Sequence, residues 1–597
     1  MPFGAEPIAG EGVSFRLWAP GAKAVSVWLD EAHELPMRKA STGWYALTVP
    51  TAGAGSRYQF RLPDGLLVPD PASRFNPDGV HGPSEVIDPA AFDWPDDDWL
   101  GRPWEDAVIY ELHVGSFTPA GSFAGVIERL DYLAHLGVTA IELMPVAAFP
   151  GRRNWGYDGV LPFAPNATYG RPDDFKRLIA AAHQRGLMVL LDVVYNHFGP
   201  DGNYLHAYAP AFFNPRHVTP WGAAINFDGD GSRTVRDFYI HNALYWLEEY
   251  HLDGLRLDAV HAFCDDSSPD IVEELETTVR QGPGQERQVH LVLENDRNQA
   301  RYLGRDVAQW NDDIHHALHV LASGETDGYF ADYADEPMKR LGRCLAEGFA
   351  FQGETSRFHD NELRGEPSSH LPPGAFVSFL QNHDQVGNRA FGERLCHLVS
   401  PTALKAVTAV LLLAPPPPLL FMGEEFAAAQ PFLFFCDFGG ELASKVTAGR
   451  RREFASFARF ADPAERERIP DPNADQTFTA CVLDWSAAER EPHRAVLKLH
   501  RRLLALRRQW IAPRLAGMGN GAPKLTLLSK RALKVLWRLG DGSGLSLVAN
   551  LGEAEFAMTP EIGNRLFATS NLTPALLAAG RLPPWSVAWH LQPGDRP

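Results

Sequence analysis

Cysteine is scarce in this sequence. Its five cysteines, Cys264, Cys344, Cys396, Cys436 and Cys481, are scattered over 597 residues, their number is odd, and none forms a C-x-x-C pair. A disulfide framework and a cysteine-built zinc cluster are therefore not expected, and a reducing cytoplasm is the expected compartment. Long apolar runs are missing as well. The longest, near Ala409–Ala414, ends in Pro415 to Pro418 and is too short to span a bilayer, so no membrane partner is expected. The opening MPFGAEPIAGEG has no basic stretch ahead of an apolar one, so no secretory signal is expected. Basic charge is in deficit, with 55 Lys and Arg against 74 Asp and Glu and a formal net charge of -19. Nucleic acid binding needs concentrated Lys and Arg, so no nucleic acid partner is expected; a neutral polar substrate is compatible with this balance.

What is present is a long chain with a periodic apolar pattern. At roughly 150 residues per domain, three or four units are expected, fewer if one is a large barrel. Val13, Phe15 and Leu17 alternate, as do Val25, Val27 and Leu29, and Tyr58, Phe60 and Leu62, with turn residues between them. Such period-two patterning predicts a small β-sandwich over residues 1–95. The segment from Asp88 to Trp104, rich in Pro, Asp and Trp, reads as a linker.

From residue 96 to 511 strand-like and helix-like stretches alternate. Val108–His113, Val138–Met144, Met188–Tyr195 and Leu255–Val260 read as strands. Val126, Ile127, Leu130, Leu133 and Leu136 share a helical face closed by Gly137, and Phe175 to Ala182 mark another helix closed by Gly186. The alternation predicts right-handed βαβ units, and its length favours a (β/α)8 barrel, an α/β fold, with an inserted subdomain near 197–230. The helix from His493 to Arg508 is expected to close it. Residues 512–597 return to period two, with Val535, Trp537 and Leu539, then Leu545 and Leu547, then Trp585, Val587 and Trp589 sharing faces; a C-terminal β-sandwich is expected.

Catalytic side chains in a barrel project from the C-terminal ends of its strands. Four stretches put polar residues there: Asp192–His197 (DVVYNH), Leu255–Asp258 (LRLD), Leu291–Glu294 (LVLE), and Phe379–Asp384, where an apolar run meets Asn382, His383 and Asp384. Arg256 and Asp258 are two apart and so face the same side, into the barrel mouth, while Leu255 and Leu257 face the helices. Three carboxylates on three strand ends suit glycoside hydrolysis: one attacks the anomeric carbon, and a second, ~5 Å away in a retaining enzyme, protonates the leaving oxygen. Arg256 beside Asp258 is expected to keep that carboxylate ionised, and the apolar end of β-like Leu291–Leu293 to suit a general acid. A third carboxylate can stabilise an oxocarbenium-like transition state, and His197 and His383 can donate to sugar hydroxyls. Any one strand-end carboxylate is more often a cap or ion-pair partner; the four clusters together are harder to explain that way.

DVVYNH, GLRLDAV, LVLEN and FLQNHDQ, in this order, resemble the four signature regions of the α-amylase superfamily, glycoside hydrolase family 13. The resemblance implies Asp258 as nucleophile, Glu294 as acid/base and Asp384 as transition-state stabiliser, with Asp192, His197, Arg256 and His383 lining the subsite of the attacked glucose. Tyr157, in NWGYDG, resembles the aromatic that stacks on that glucose. QNHDQVGNRAFGERL, TPWGAAINFDG and YELHVGSFT are similar to a subgroup of this superfamily that releases trehalose from maltooligosyltrehalose. That implies maltooligosyltrehalose, maltooligosaccharides and trehalose as ligands, water as final acceptor, and no cofactor. Asn196 matches a calcium ligand of many relatives, but no partner ligands are found, so no metal is expected. The candidates for reading a trehalose end are Gln385, Asn388 and Arg389 after Asp384, and Trp221 in the insertion; Asn388 and Arg389 are equally suited to holding the loop. Two rival readings stay open: a glycogen branching or debranching enzyme of the same superfamily, and a non-catalytic glucan-binding protein.

Overall fold

Eight short strands close on themselves in the middle of the chain. In this computed structural model, which describes residues 1–304, 306–521, 523–561 and 563–594, they are β1 (Ile109–Leu112), β2 (Ala140–Leu143), β3 (Met188–Val193), β4 (Gly254–Leu257), β5 (His290–Leu293), β6 (Val307–Trp310), β7 (Phe376–Phe379) and β8 (Pro418–Phe421). Each pairs in parallel with the next, and β1 pairs with β8, giving the expected barrel. The strands are buried on both faces, which is why they read as near-continuous apolar runs. Their inward side chains, among them Ile109, Ala140, Met188, Leu190, Val292, Trp310, Phe379 and Leu419, form a small separate core. Leu255 and Leu257 belong instead to the larger core between strands and helices, as the alternation requires.

Helices α1 (Pro172–His183), α2 (Ser232–Leu244), α3 (Asp312–Ser323), α5 (Pro401–Leu412) and α6 (His493–Leu506) belong to the outer ring, and a short α4 (His383–Gly387) begins just beyond β7. The helix expected over 126–136 is broken: its halves are Phe123–Ile127 and Leu130–Leu136, and Gly137 ends the second at φ 105. The proline run is more than a loop. Pro418 is the first residue of β8, and the buried Arg507 donates to the carbonyls of Ala414, Pro415 and Pro416. Prolines offer no N–H, so only their carbonyls need partners, and one guanidinium supplies them.

Two β-units flank the barrel. The N-terminal one packs a four-stranded sheet on a five-stranded one, and Val13, Phe15, Val27, Tyr58 and Phe60 fill the space between them, each no more than 1% exposed. The C-terminal one is lopsided: five antiparallel strands against a two-stranded ribbon, Phe556–Ala557 with Arg581–Leu582. Its inner face meets the barrel through Trp537 and Trp589, which stack at 5.6 Å and donate to the carbonyls of Leu345 and Ala409. The segment read as a linker is pinned to the barrel base. Trp94 stacks on His251, Trp99 stacks on His183 and donates to Asp253, and Trp99 and Trp104 cover the inner core from below.

Candidate active site

The C-terminal ends of β3, β4 and β5 bring three carboxyl groups onto one guanidinium. Arg256, on β4 and 0% exposed, donates from Nη1 to Asp192 (2.6 Å) and Asp258 (2.9 Å) and from Nη2 to Glu294 (2.7 Å). Its planar fork is built for such bridging, and its face lies 4.2 Å above the Trp310 ring. Asp258 also accepts from Asn196 Nδ2 (3.1 Å), and Glu294 Oε2 from the Ala259 backbone N–H (2.9 Å). Tyr157 donates to Asp192 (2.6 Å) and stacks on His383 with ring centroids 5.1 Å apart. His197 Nε2 sits 2.9 Å from the Tyr157 carbonyl oxygen, and burial pushes this imidazole down to about 4, so it is neutral.

Beyond β7 the chain turns at once into α4. Asn382 is its N-cap, accepting from the Gln385 backbone N–H (2.9 Å), which puts His383 and Asp384 in the first helical turn. Asn388 Nδ2 donates to Asp384 Oδ1 (3.2 Å), and His383 Nε2 lies 3.4 Å from the same oxygen. Asp258, Glu294, His383, Asp384, Asn388, Tyr157, His197 and Trp221 all line one cavity of about 480 Å³, walled further by Trp155, His261, Phe434 and Arg450. Such a concave site with few convergent polar groups suits a small polar ligand.

Charge is crowded here. Burial, and after it the Glu294 carboxylate, push the Asp258 carboxyl well up, while Arg256 opposes them. The expectation that Arg256 simply keeps Asp258 ionised is thus incomplete: burial and the neighbouring Glu294 charge work against it. Asp384 is held low: burial works against its charge, but the neighbouring His383 outweighs it.

Not every sequence-derived candidate reaches the cavity. Asp192 and Arg256 lie beneath its floor. Gln385 donates its side chain to Asp312 (3.0 Å), and Arg389 makes a two-pronged pair with Glu325 (2.8 and 2.9 Å), so Arg389 serves the loop. Trp221, 49% exposed, stacks on His197 at 5.2 Å from the tip of the hairpin Phe213–Thr219/Gly222–Ile225. Sequence reasoning missed three residues. Glu111 sits inward on β1 against His383. Asp312 starts α3, and burial, then Glu294, push its carboxyl up to about 8. Arg450, in the basic run Arg450–Arg452, donates to the carbonyls of Gly387 (2.7 Å) and Arg389 (3.2 Å) and so fixes the end of α4. Asn196 spends its amide N–H on Asp258. Among the described residues His217, Asp228 and Asp266 form the one group with metal-type spacing, near the surface, where Asp228 already accepts from Asn214 (2.6 Å) and pairs with Arg216 (2.9 Å).

Comparison with known proteins agrees with this architecture. Residues 86–243 match the α-amylase catalytic domain, residues 2–71 carbohydrate-binding module 48 (the isoamylase N-terminal domain), and residues 522–589 a domain of unknown function, DUF3459. The chain is 44% identical over 511 residues to the malto-oligosyltrehalose trehalohydrolase of Deinococcus radiodurans, covering 85% of this chain and 83% of that one. It is 39% identical to the enzyme of that name from Rhizobium sp. (strain M-11), covering 98% of both chains. The crystal structure of a candidate α-amylase from Salmonella typhimurium superposes with a TM-score of 0.94 at 45% identity over 99% of both chains. Relatedness at this level and over this length, on a closed barrel preceded by a carbohydrate-binding module, places the chain in the malto-oligosyltrehalose trehalohydrolase family of the α-amylase superfamily.

Proposed function

We propose that this protein hydrolyses the α-1,4-glucosidic bond next to the terminal trehalose of maltooligosyltrehalose, releasing trehalose and a maltooligosaccharide, with retention at the anomeric carbon. The observation that carries this reading is the trio Asp258, Glu294 and Asp384 on one cavity wall, the first two gripped by the two ends of a single guanidinium. Carboxyls held that way support the ~5 Å spacing of a retaining pair over the ~6.5–9.5 Å of an inverting one.

Hydrogen-bond directions support the division of roles between the two carboxyls. Both Asp258 oxygens accept N–H bonds, from Arg256 and Asn196, and an acceptor-only environment suits a carboxylate. Glu294 Oε2 accepts twice, from Arg256 and Ala259, which leaves Oε1 to carry the proton towards the substrate. Asp258 then attacks the anomeric carbon while Glu294 protonates the departing glycosidic oxygen. In the second half Glu294 takes a proton from water, which displaces Asp258 and restores the starting state. Asp384, kept anionic by His383, faces the positive charge that develops on the ring. Asp192 and Arg256 hold the floor, and Tyr157 and His197 bound the glucose that is attacked. A cytoplasmic location and a place in trehalose synthesis go with this reading.

Product analysis on maltooligosyltrehalose tests it. Trehalose and a shortened glucan are expected, the new reducing end appearing first as the α-anomer by NMR. A β-anomer would overturn retention, and new α-1,6 branches or debranching without trehalose would move the assignment to the rival enzymes.

A further inference from the structure

β1 supplies a buried acid that the reaction above does not use. Glu111 is 1% exposed, and both its oxygens serve His383: Oε1 lies 2.5 Å from Nδ1, and Oε2 accepts the backbone N–H at 3.0 Å. On its other side the ring turns Nε2 towards Asp384 Oδ1 at 3.4 Å. An imidazole set between two carboxylates satisfies both only when both nitrogens carry hydrogen, since a neutral ring would aim a lone pair at one of them. The other groups that face this ring are few. Glu142, beside Glu111 in the β1–β2 register, is buried with neither oxygen partnered among the described residues. Burial and then the Glu111 charge push Glu142 well up, so it stays a neutral acid. Asp192 contributes negative charge; His113 is neutral, its burial pushing it down to about 4; Arg256 lies beyond Asp192 and Tyr157. The remaining neighbours are the rings of Trp155, Tyr157 and Trp310.

We propose that Glu111 is a positioning residue that holds His383 as a standing imidazolium, a fixed hydrogen-bond donor to Asp384 and a fixed positive charge beside it. Burial alone would strip the proton from the ring; the Asp384 and Glu111 carboxylates outweigh it and hold the ring well above the ordinary histidine range. His383 therefore enters each turnover already charged, and no proton has to be found for it. The inference rests on the proposed glucan-cleaving reading for its kinetic consequence, but the state of the ring is measurable without it.

Glu111→Gln removes the charge and keeps the size. His383 should then lose its proton within the assay range, so the alkaline limb of kcat/KM on maltooligosyltrehalose should move down by at least about one pH unit, and activity at about pH 8 should fall about tenfold more than at pH 6. Glu111→Asp, which keeps the charge, should keep the alkaline limb of the wild type. An equal fractional loss at every pH would reduce Glu111 to packing and overturn the proposal. Should Glu111→Gln fail to fold, 15N-histidine NMR of the wild-type protein decides, with His383 assigned by its loss in His383→Asn. Two protonated ring nitrogens at about pH 8, well above the ordinary ~6.5, are expected, and a neutral ring there would overturn the proposal. Wild-type protein that releases no trehalose would overturn the proposed reaction, while the NMR result still settles the charge of the ring.

Discussion

Arg256 is the residue on which the site turns. Three carboxylates that would repel one another share its guanidinium, and no water competes, because the residue is 0% exposed. A lysine would keep the charge but lose the fork, so it could not hold Asp258 and Glu294 at a fixed spacing. Arg256→Lys should therefore lower kcat by at least about 10²-fold through misplacement of the two carboxyls, with KM changed less. Steady-state kinetics on maltooligosyltrehalose check this; an equal rise in KM with kcat intact would mean that Arg256 only binds substrate. Asp384→Asn should likewise fold normally, since Asn is close in shape, and lose most of its turnover; near-normal turnover would remove Asp384 from the mechanism. At this scale the sequence was readable wherever a carboxyl ended an apolar strand, as at Asp258 and Glu294. Glu111 was not, because it lies inside the run Ile109–Leu112, where one polar residue between apolar ones looks like ordinary alternation. Arg507 and Arg450 were hidden for a similar reason: their partners are backbone carbonyls far away in sequence, which no local pattern announces.

Two elements carry the specificity question. The hairpin around Trp221 reaches over the cavity from the insertion, and α4 brings Asp384 in from the other side. Trp221 keeps an exposed face beside His197, so it is free to pack against a sugar; Gln385 is engaged with Asp312 and is not. The two should separate when truncated. Trp221→Ala should cost roughly ten- to a hundredfold more in kcat/KM on maltooligosyltrehalose than on plain maltooligosaccharide, as expected when one contact to a particular end is lost. Gln385→Ala should cost both substrates equally, because it loosens α4 and with it Asp384. The same ratio for both variants would mean that the hairpin does not read the trehalose end. Strands β1 to β5 and β7, the α6 closure and both flanking β-units were legible because period two and period 3.6 are strong signals over such lengths, whereas the short β6 (Val307–Trp310) was not read. The break near Glu128 and the short α4 were not: a helical face can continue in register across a kink, and a five-residue helix leaves no period to detect.

On the scale of the whole molecule, the segment between the N-terminal sandwich and β1 acts as the base plate of the barrel, although its composition is that of a linker. Its Asp96 meets His183 of α1 (2.6 Å) and His251 (3.1 Å), and His183 in turn meets Asp253 (3.0 Å), whose Oδ2 also accepts the Val189 backbone N–H (2.8 Å) at the foot of β3. Segment, helix and strand are thus joined through one buried chain of charges. Burial pushes Asp96 up, but the bonds from His183 and His251 outweigh it and hold its carboxyl low. Burial pushes His183 down, but Asp253 and Asp96 outweigh it and hold it high. The signs follow from linkage. A depressed carboxyl stabilises above its unfolded value of ~3.9 and loses that contribution as pH falls; a raised imidazole stabilises below its unfolded ~6.5 and loses it as pH rises through its folded value. The two overlap between roughly pH 4 and 6.5, so stability from this network should be greatest there and decline on both sides. Asp96→Asn leaves His183 with one charged partner and removes an ion from a buried pair, a change that costs about 3–5 kcal/mol where the remaining charge stays buried. The melting temperature should therefore fall most between pH 4 and 6.5 and less on either side, flattening its dependence on pH, while kcat at moderate temperature stays near that of the wild type because the cavity lies at the opposite end of the strands. A drop in melting temperature that is the same at every pH would show that Asp96 supports the base through packing and neutral hydrogen bonds, and that the charges of His183 and Asp253 do not depend on it.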